Sequence, residues 1–180
     1  PYIGPNDFKP SRMGQTLLDF AHGKLSAYIP GGRSFVAMQD IVEGQILAMA
    51  KGRAGQKYTF STEFLTLESL LKLFAKVTGK GLPKLCIPTP IITGIATVTD
   101  AILPRFFPHT PQNLTLGAVN LLRMNQTADC SKAQTELGFK PTSIEQAVTD
   151  AYQDFVHRGL IIKSNREQGM GNREQVIVNW

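Results

Sequence analysis

Apolar positions along the chain fall into short runs and helical stripes, punctuated by glycine and proline. After the Pro30-Gly31-Gly32 turn, Phe35, Val36, Ala37 and Met38 form an unbroken apolar run, which reads as a buried strand. A helix is predicted directly behind it. Asp40 with Glu43 three residues on has the capping-box spacing, and Ile41, Val42, Ile46, Leu47, Ala48 and Met49 carry the helix to Gly52. Upstream, Pro1 to Pro10 is loop, and Ser11 caps a helix with Met13, Leu17, Leu18 and Phe20 on one side, ended by Gly23. Short strands are predicted at Leu25 to Ile29, Lys57 to Phe60 and Lys84 to Ile87. Thr66 caps a helix whose Leu67, Leu70, Leu71, Leu73, Phe74 and Val77 keep helical spacing up to Gly79.

Farther on, Ile91, Ile92, Ile95, Val98, Ile102 and Leu103 fit one wide helical face, broken by Pro104 and Pro108. Leu114, Val119, Leu121 and Leu122 mark another helix. Ser131 with Gln134, and Ser143 with Gln146, both have capping-box spacing. They open a short helix ending at Gly138 and an amphipathic one holding Ile144, Ala147, Val148, Ala151, Tyr152 and Phe155. The expected fold is mixed α/β (α+β), with short strands and about six helices over 1–159. A polar tail follows at 160–180; it carries the tetrad NREQ twice and ends in a stretch, Gln175 to Val178, able to dock as a strand.

Composition narrows this little. With 180 residues, 42% of them apolar and 18% charged, the chain is long enough to bury a core and too apolar to be disordered. The net charge of +5 comes from scattered Lys and Arg with no interleaved aromatic stripe, which argues against a nucleic-acid partner. No apolar run reaches membrane-spanning length, and no signal-peptide pattern opens the chain. Cys86 and Cys130 lie far apart without metal-ligand spacing, so no metal is expected and a reducing, cytoplasmic setting is the default.

Read in order, several segments resemble the C-terminal half of an extended short-chain dehydrogenase/reductase. The nearest likeness is to its dihydroflavonol-reductase, 3β-hydroxysteroid-dehydrogenase and epimerase/dehydratase branch. Those segments are Tyr2-Ile-Gly-Pro-Asn-Asp7, Ser34 to Ala48 around Asp40, Gly55-Gln-Lys-Tyr58, Leu67 to Gly79, Ser131-Lys-Ala133 and Glu136-Leu-Gly-Phe-Lys-Pro141. The resemblance covers about Pro1 to Gly159. The resemblance implies a substrate-binding half that shapes a pocket over a nicotinamide cofactor. The family's glycine-rich turn between a strand and a helix is missing from this sequence. So is its Tyr-x-x-x-Lys pair: Tyr2, Tyr28, Tyr58 and Tyr152 have no Lys four residues later. No cofactor is therefore expected on this chain alone.

Two functional expectations follow, with a non-catalytic binding or dimerisation module as a third. The first is a cofactor-independent enzyme doing acid/base chemistry on an apolar small molecule such as a polyketide: cyclisation, lactonisation to a pyrone-type ring, or isomerisation. Its catalytic candidates are Asp40, Asp129 and Arg33, since a carboxylate beside a fixed cation can remove a proton next to a carbonyl. Asp40 and Asp129 also read as helix caps. Asp7, Arg12, Tyr28, Ile92, Phe106 and His109 are the substrate-binding candidates. His22 and His157, near helix ends, read as structural. The second expectation is a portion of an NAD(P)-dependent reductase or epimerase, inactive without its dinucleotide-binding half. In either case, the flank facing that half is expected to be apolar and to pair copies into a homodimer.

Overall fold

In the computed structural model of the chain, residues 1–88, 90, 91, 94 and 125–162 are described below. Among the described residues, ten elements are bounded in chain order: β1 (Tyr2–Ile3), α1 (Arg12–Ala21), β2 (Ala27–Tyr28), β3 (Gly32–Ala37), α2 (Met38–Lys51), β4 (Glu63–Thr66), α3 (Leu67–Thr78), β5 (Leu85–Cys86), α4 (Ser131–Leu137) and α5 (Ile144–His157). Apart from residues 90, 91 and 94, the helices expected within 89–124 lie outside the described residues, as does the polar tail beyond residue 162.

β3 is the centre of the sheet. β1 runs parallel to it with Tyr2 opposite Val36, and β4 runs antiparallel with Gly32 opposite Thr66. β2 and β5 pair in parallel as a separate two-stranded ribbon. Three helices cover the sheet because each has one apolar face. Leu17 and Leu18 of α1, Leu70, Leu71 and Phe74 of α3, and Ile144, Val148 and Phe155 of α5 meet Ile3 and Phe35 in one core. Phe20 sets its ring edge-on to Phe74 at 5.9 Å.

The helix ends explain why these boundaries were readable. Ser11, Thr66 and Ser143 each accept a hydrogen bond from the backbone N–H three residues on, as their sequence context predicts. Gly79 closes α3 in the left-handed conformation, at φ 66°.

Three expectations need correction. Lys57 to Phe60 is not a strand. The chain there turns Tyr58 towards α4, and Phe60 joins a second cluster with Ala133, Leu137 and Phe139; the strand that pairs with β3 begins later, at Glu63. Asp40 does not cap α2. The helix starts at Met38 behind Ala37, which makes no side-chain cap, so Asp40 sits inside the first turn with its side chain buried. Ser131 does not cap α4. Its own N–H is held by Asp129 Oδ1 at 2.9 Å, and the cap position falls on Cys130.

α2 differs from the other long helices. It buries Asp40 and Gly44, while Met38, Val42, Ile46 and Met49 are 39, 48, 60 and 88% exposed. The Phe60 ring lies against Gly44 so closely that a Cβ there would stand 2.6 Å from it. α4 packs on the same inner side, through Leu137 and the partly buried Leu47 and Ala48.

Candidate functional site

β3 carries Arg33 and Ser34 along one rim of the sheet, beyond the end of β1. The segment Asn125–Ala128 lies alongside. Asn125 Oδ1 accepts from Gly32 N–H at 3.0 Å, and Ala128 N–H donates to Ser34 Oγ at 2.8 Å. Between these pieces is a cavity of about 270 Å³, lined by Pro1, by Arg33, Ser34 and Val36 of β3, by Phe60 and Ser61, and by Gln126 to Ala128. Its volume falls just below the usual range for small-molecule sites, roughly 300–1,000 Å³. Arg33 is half-buried, and among the described residues it has no carboxylate partner. A fixed cation beside an apolar ring and hydroxyls can hold an anionic or carbonyl oxygen.

The carboxylates expected to work beside Arg33 are elsewhere. Asp40 follows the far end of β3, and the run from Arg33 to Met38 alone spans about 16 Å of extended chain. It is 2% exposed, and both its oxygens are engaged by one residue: Thr142 N–H donates to Oδ2 at 2.7 Å and Thr142 Oγ1 to Oδ1 at 2.8 Å. It ties the loop before α5 to α2 and offers no open oxygen to a substrate. Asp129 is exposed. The Ser131 hydroxyl, followed by the Ser131 N–H, holds its carboxyl below the usual value, which makes it a weak base.

The substrate candidates scatter as well. Asp7 Oδ2 accepts from Ser11 N–H at 2.8 Å above the start of α1, where a Cβ on Gly14 would stand 2.2 Å from that oxygen. The same loop is clamped by Arg158, which donates to the Asp7 and Phe8 carbonyls, pairs with Asp154 and lies over the Phe8 ring. Arg12 is exposed on α1. Tyr28 is in the β2–β5 ribbon; burial first and the neighbouring Cys86 thiol second push its phenol up. Ile92, Phe106 and His109 lie outside the described residues. Of the six candidates among the described residues, Arg33 is the one that lines the cavity. Ser61, Gln126 and Thr127 were not anticipated, since four chain segments far apart in sequence supply the lining and no local pattern marks them.

A nicotinamide dinucleotide fits these residues poorly. Such a cofactor sets its pyrophosphate on a glycine turn at a helix N-terminus. β3 enters α2 with no intervening turn, and α2 and α3 carry Asp40 and Glu68 in their first turns. Among the described residues no helix is long and apolar enough to cross a membrane.

No protein-family profile matches the chain. It is 40% identical over 159 residues to sterol demethylase protein B of Methylococcus capsulatus, covering 88% of this chain and 48% of that protein. It is 29% identical to a putative dihydroflavonol 4-reductase of Synechocystis, covering 88% of this chain and 47% of that one. The solved structure of gox2253 superposes with a TM-score of 0.74 at 31% identity, over 89% of this chain and 48% of that one. The chain corresponds to the C-terminal half of an extended short-chain dehydrogenase/reductase. A nucleoside-diphosphate-sugar epimerase from Pseudomonas aeruginosa shares the fold, with a TM-score of 0.70 at 21% identity. The chain thus spans about half the length of the curated relatives it matches.

Proposed function

We propose that this chain is the substrate-side half of a nicotinamide-dependent reductase acting on an oxygen function of a ring-bearing apolar molecule. The cofactor and the proton-transfer residues belong to chain outside this sequence. The observation that carries the reading is Arg33, a half-buried cation without a carboxylate partner among the described residues, at the wall of a cavity formed by β3, Phe60–Ser61 and Gln126–Thr127. Its role is to hold the substrate's oxygen while Phe60 contacts a ring. The names of the sterol and dihydroflavonol relatives support a fused- or multi-ring substrate.

The cofactor-independent cyclisation that the sequence also suggested has less support. It needs an open carboxylate near Arg33, and Asp40 is occupied by Thr142 while Asp129 is held by Ser131.

The test is a hybrid in which the N-terminal half of the Methylococcus relative precedes Pro1. NADPH oxidation is followed with ring ketones, the sterol-derived ones first. Turnover is expected, and Arg33→Ala is expected to raise KM by roughly tenfold, with a smaller effect on kcat, as for loss of one charge-assisted contact. A folded, NADPH-binding hybrid that turns over equally well with Arg33→Ala would overturn the reading.

A further inference from the structure

Among the described residues, Asp40, Ser61 and Thr78 are the polar residues buried as a whole. Two of them are partnered. Asp40 accepts from Thr142, and Thr78 Oγ1 donates to the Phe74 carbonyl at 2.7 Å. Ser61 is 4% exposed, yet its hydroxyl makes no hydrogen bond among the described residues. Buried polar groups are nearly always hydrogen-bonded, because one left alone is costly. Thr62 Oγ1 is also buried without a partner, but Thr62 does not line the cavity beside Arg33. Ser61 does, so its hydroxyl has an opening into which a partner can come.

Ser61 and Arg33 stand at different points of the cavity wall. The Thr62 N–H donates to the Phe35 carbonyl at 2.8 Å, which sets Ser61 beside the Phe35 end of β3. Arg33 is two residues earlier, roughly 7 Å along the strand. Between them Ser34 Oγ accepts from Ala128 N–H, so its own proton remains available to a ligand. With Gln126 and Thr127, every polar side chain on this wall can donate, and none is a carboxylate. The cavity is therefore built for acceptors, at more than one point.

We propose that Ser61 is a specificity-determining residue of this cavity. Its hydroxyl donates to a second oxygen of the substrate, on a different ring from the oxygen that Arg33 holds. The substrate class is a fused-ring molecule with an acceptor oxygen on each of two rings. The separation along β3 favours oxygens on different rings, since two on adjacent carbons lie within hydrogen-bond distance of each other. Phe60 and Val36 supply the apolar wall for the ring carbons. The inference rests on the reading of the chain as a substrate-side half and deepens it.

The probes are a decalindione with one carbonyl on each ring and a decalone with a single carbonyl. Calorimetric titration of the chain alone measures binding without chemistry. The dione should bind roughly five- to tenfold more tightly than the monoketone, the gain of one hydrogen bond. Ser61→Ala should remove most of that preference. Equal affinities for the two probes, a preference that survives Ser61→Ala, or no saturable binding of the dione each overturns the proposal. Thermal melts give an independent check. Loss of a hydroxyl that holds nothing should leave the melting temperature of Ser61→Ala unchanged or raise it. A fall means that the hydroxyl serves the fold, directly or through a water, and overturns the assignment. In the hybrid described above, the same preference is read in KM. Failure of the two proposals looks different. Preferential, Ser61-dependent binding of the dione without turnover in the hybrid refutes the assigned reaction. Turnover of both probes with a KM ratio indifferent to Ser61→Ala refutes the role of Ser61.

Discussion

Asp40 gives the sharpest test of how this fold is held together. If it braces the loop before α5, replacing it should cost what two charge-assisted hydrogen bonds contribute. The bonds are 2.7 and 2.8 Å long, and Asp40 is 2% exposed. Hydrogen bonds to an ionised group contribute about 1.5–3 kcal/mol each. Thr142 is itself exposed, so its N–H and hydroxyl can turn to water once released, which places the sum near the lower end. Asp40→Ala is expected to destabilise the chain by about 2–4 kcal/mol, a fall of roughly 1–2 M in the urea midpoint for a slope near 2 kcal/mol/M. Thr142→Val, which removes the hydroxyl alone, should cost about half as much. In the double variant the Thr142 change should add almost nothing, because its partner has already gone. Urea titration followed by far-UV circular dichroism measures all three. The Thr142 hydroxyl can turn and accept from an amide NH2 while the amide oxygen accepts from the Thr142 N–H, so Asp40→Asn should cost less than Asp40→Ala. Additive effects of Asp40→Ala and Thr142→Val would refute the assignment.

Two further perturbations probe the inner side of α2. Gly44→Ala should gain about 1 kcal/mol of helix propensity yet lose more to the Phe60 ring 2.6 Å from the new Cβ. The net fall is about 1–2 kcal/mol by the usual cost of overpacking. Thermal melts should show Phe60→Leu relieving it, and a stabilising Gly44→Ala would contradict the packing. Glu136 accepts from Tyr58 Oη at 2.8 Å and pairs with Arg53; the Tyr58 hydroxyl, ahead of Arg53, holds its carboxyl below the ordinary 4.5. Its contribution is therefore complete above that value and is lost as pH falls through the depressed one. Carboxyl 13C NMR should show the midpoint rising in Tyr58→Phe by more than in Arg53→Met; no rise in Tyr58→Phe would rule out the hydroxyl as the main cause.

What could be read from the sequence is what local chemistry decides. α1, α3 and α5 were located because a capping side chain, helical spacing and, for α3, a terminal glycine all fall in register. Lys57 to Phe60 misled because a β-type run reads alike whether it pairs with a strand or turns its aromatic rings into a neighbouring cluster. Tyr58 and Phe60 do the latter, through Glu136 and Phe139. Asp40 misled because the capping-box spacing is satisfied in sequence, while the true start of α2 was set by β3 running straight into it. The cavity was out of reach, because its walls come from Pro1 and from residues within 33–36, 60–61 and 126–128, joined by Asn125 and Ala128 hydrogen bonds that no local pattern announces.

β3 and α2 together explain why an acid/base pair does not form in this half. The strand delivers Arg33 to the cavity at one end, and the helix begins without a turn at the other. Any residue in the first turn of α2 is therefore displaced from Arg33 by the length of the strand, and Asp40 ends up facing Thr142. Past Asp40 the same helix is apolar on both sides, one met by Phe60 and α4 and one exposed among the described residues. On this one continuous element the cation reaches the cavity rim while the carboxylate braces the loop before α5, so any acid/base partner for Arg33 would have to come from another segment.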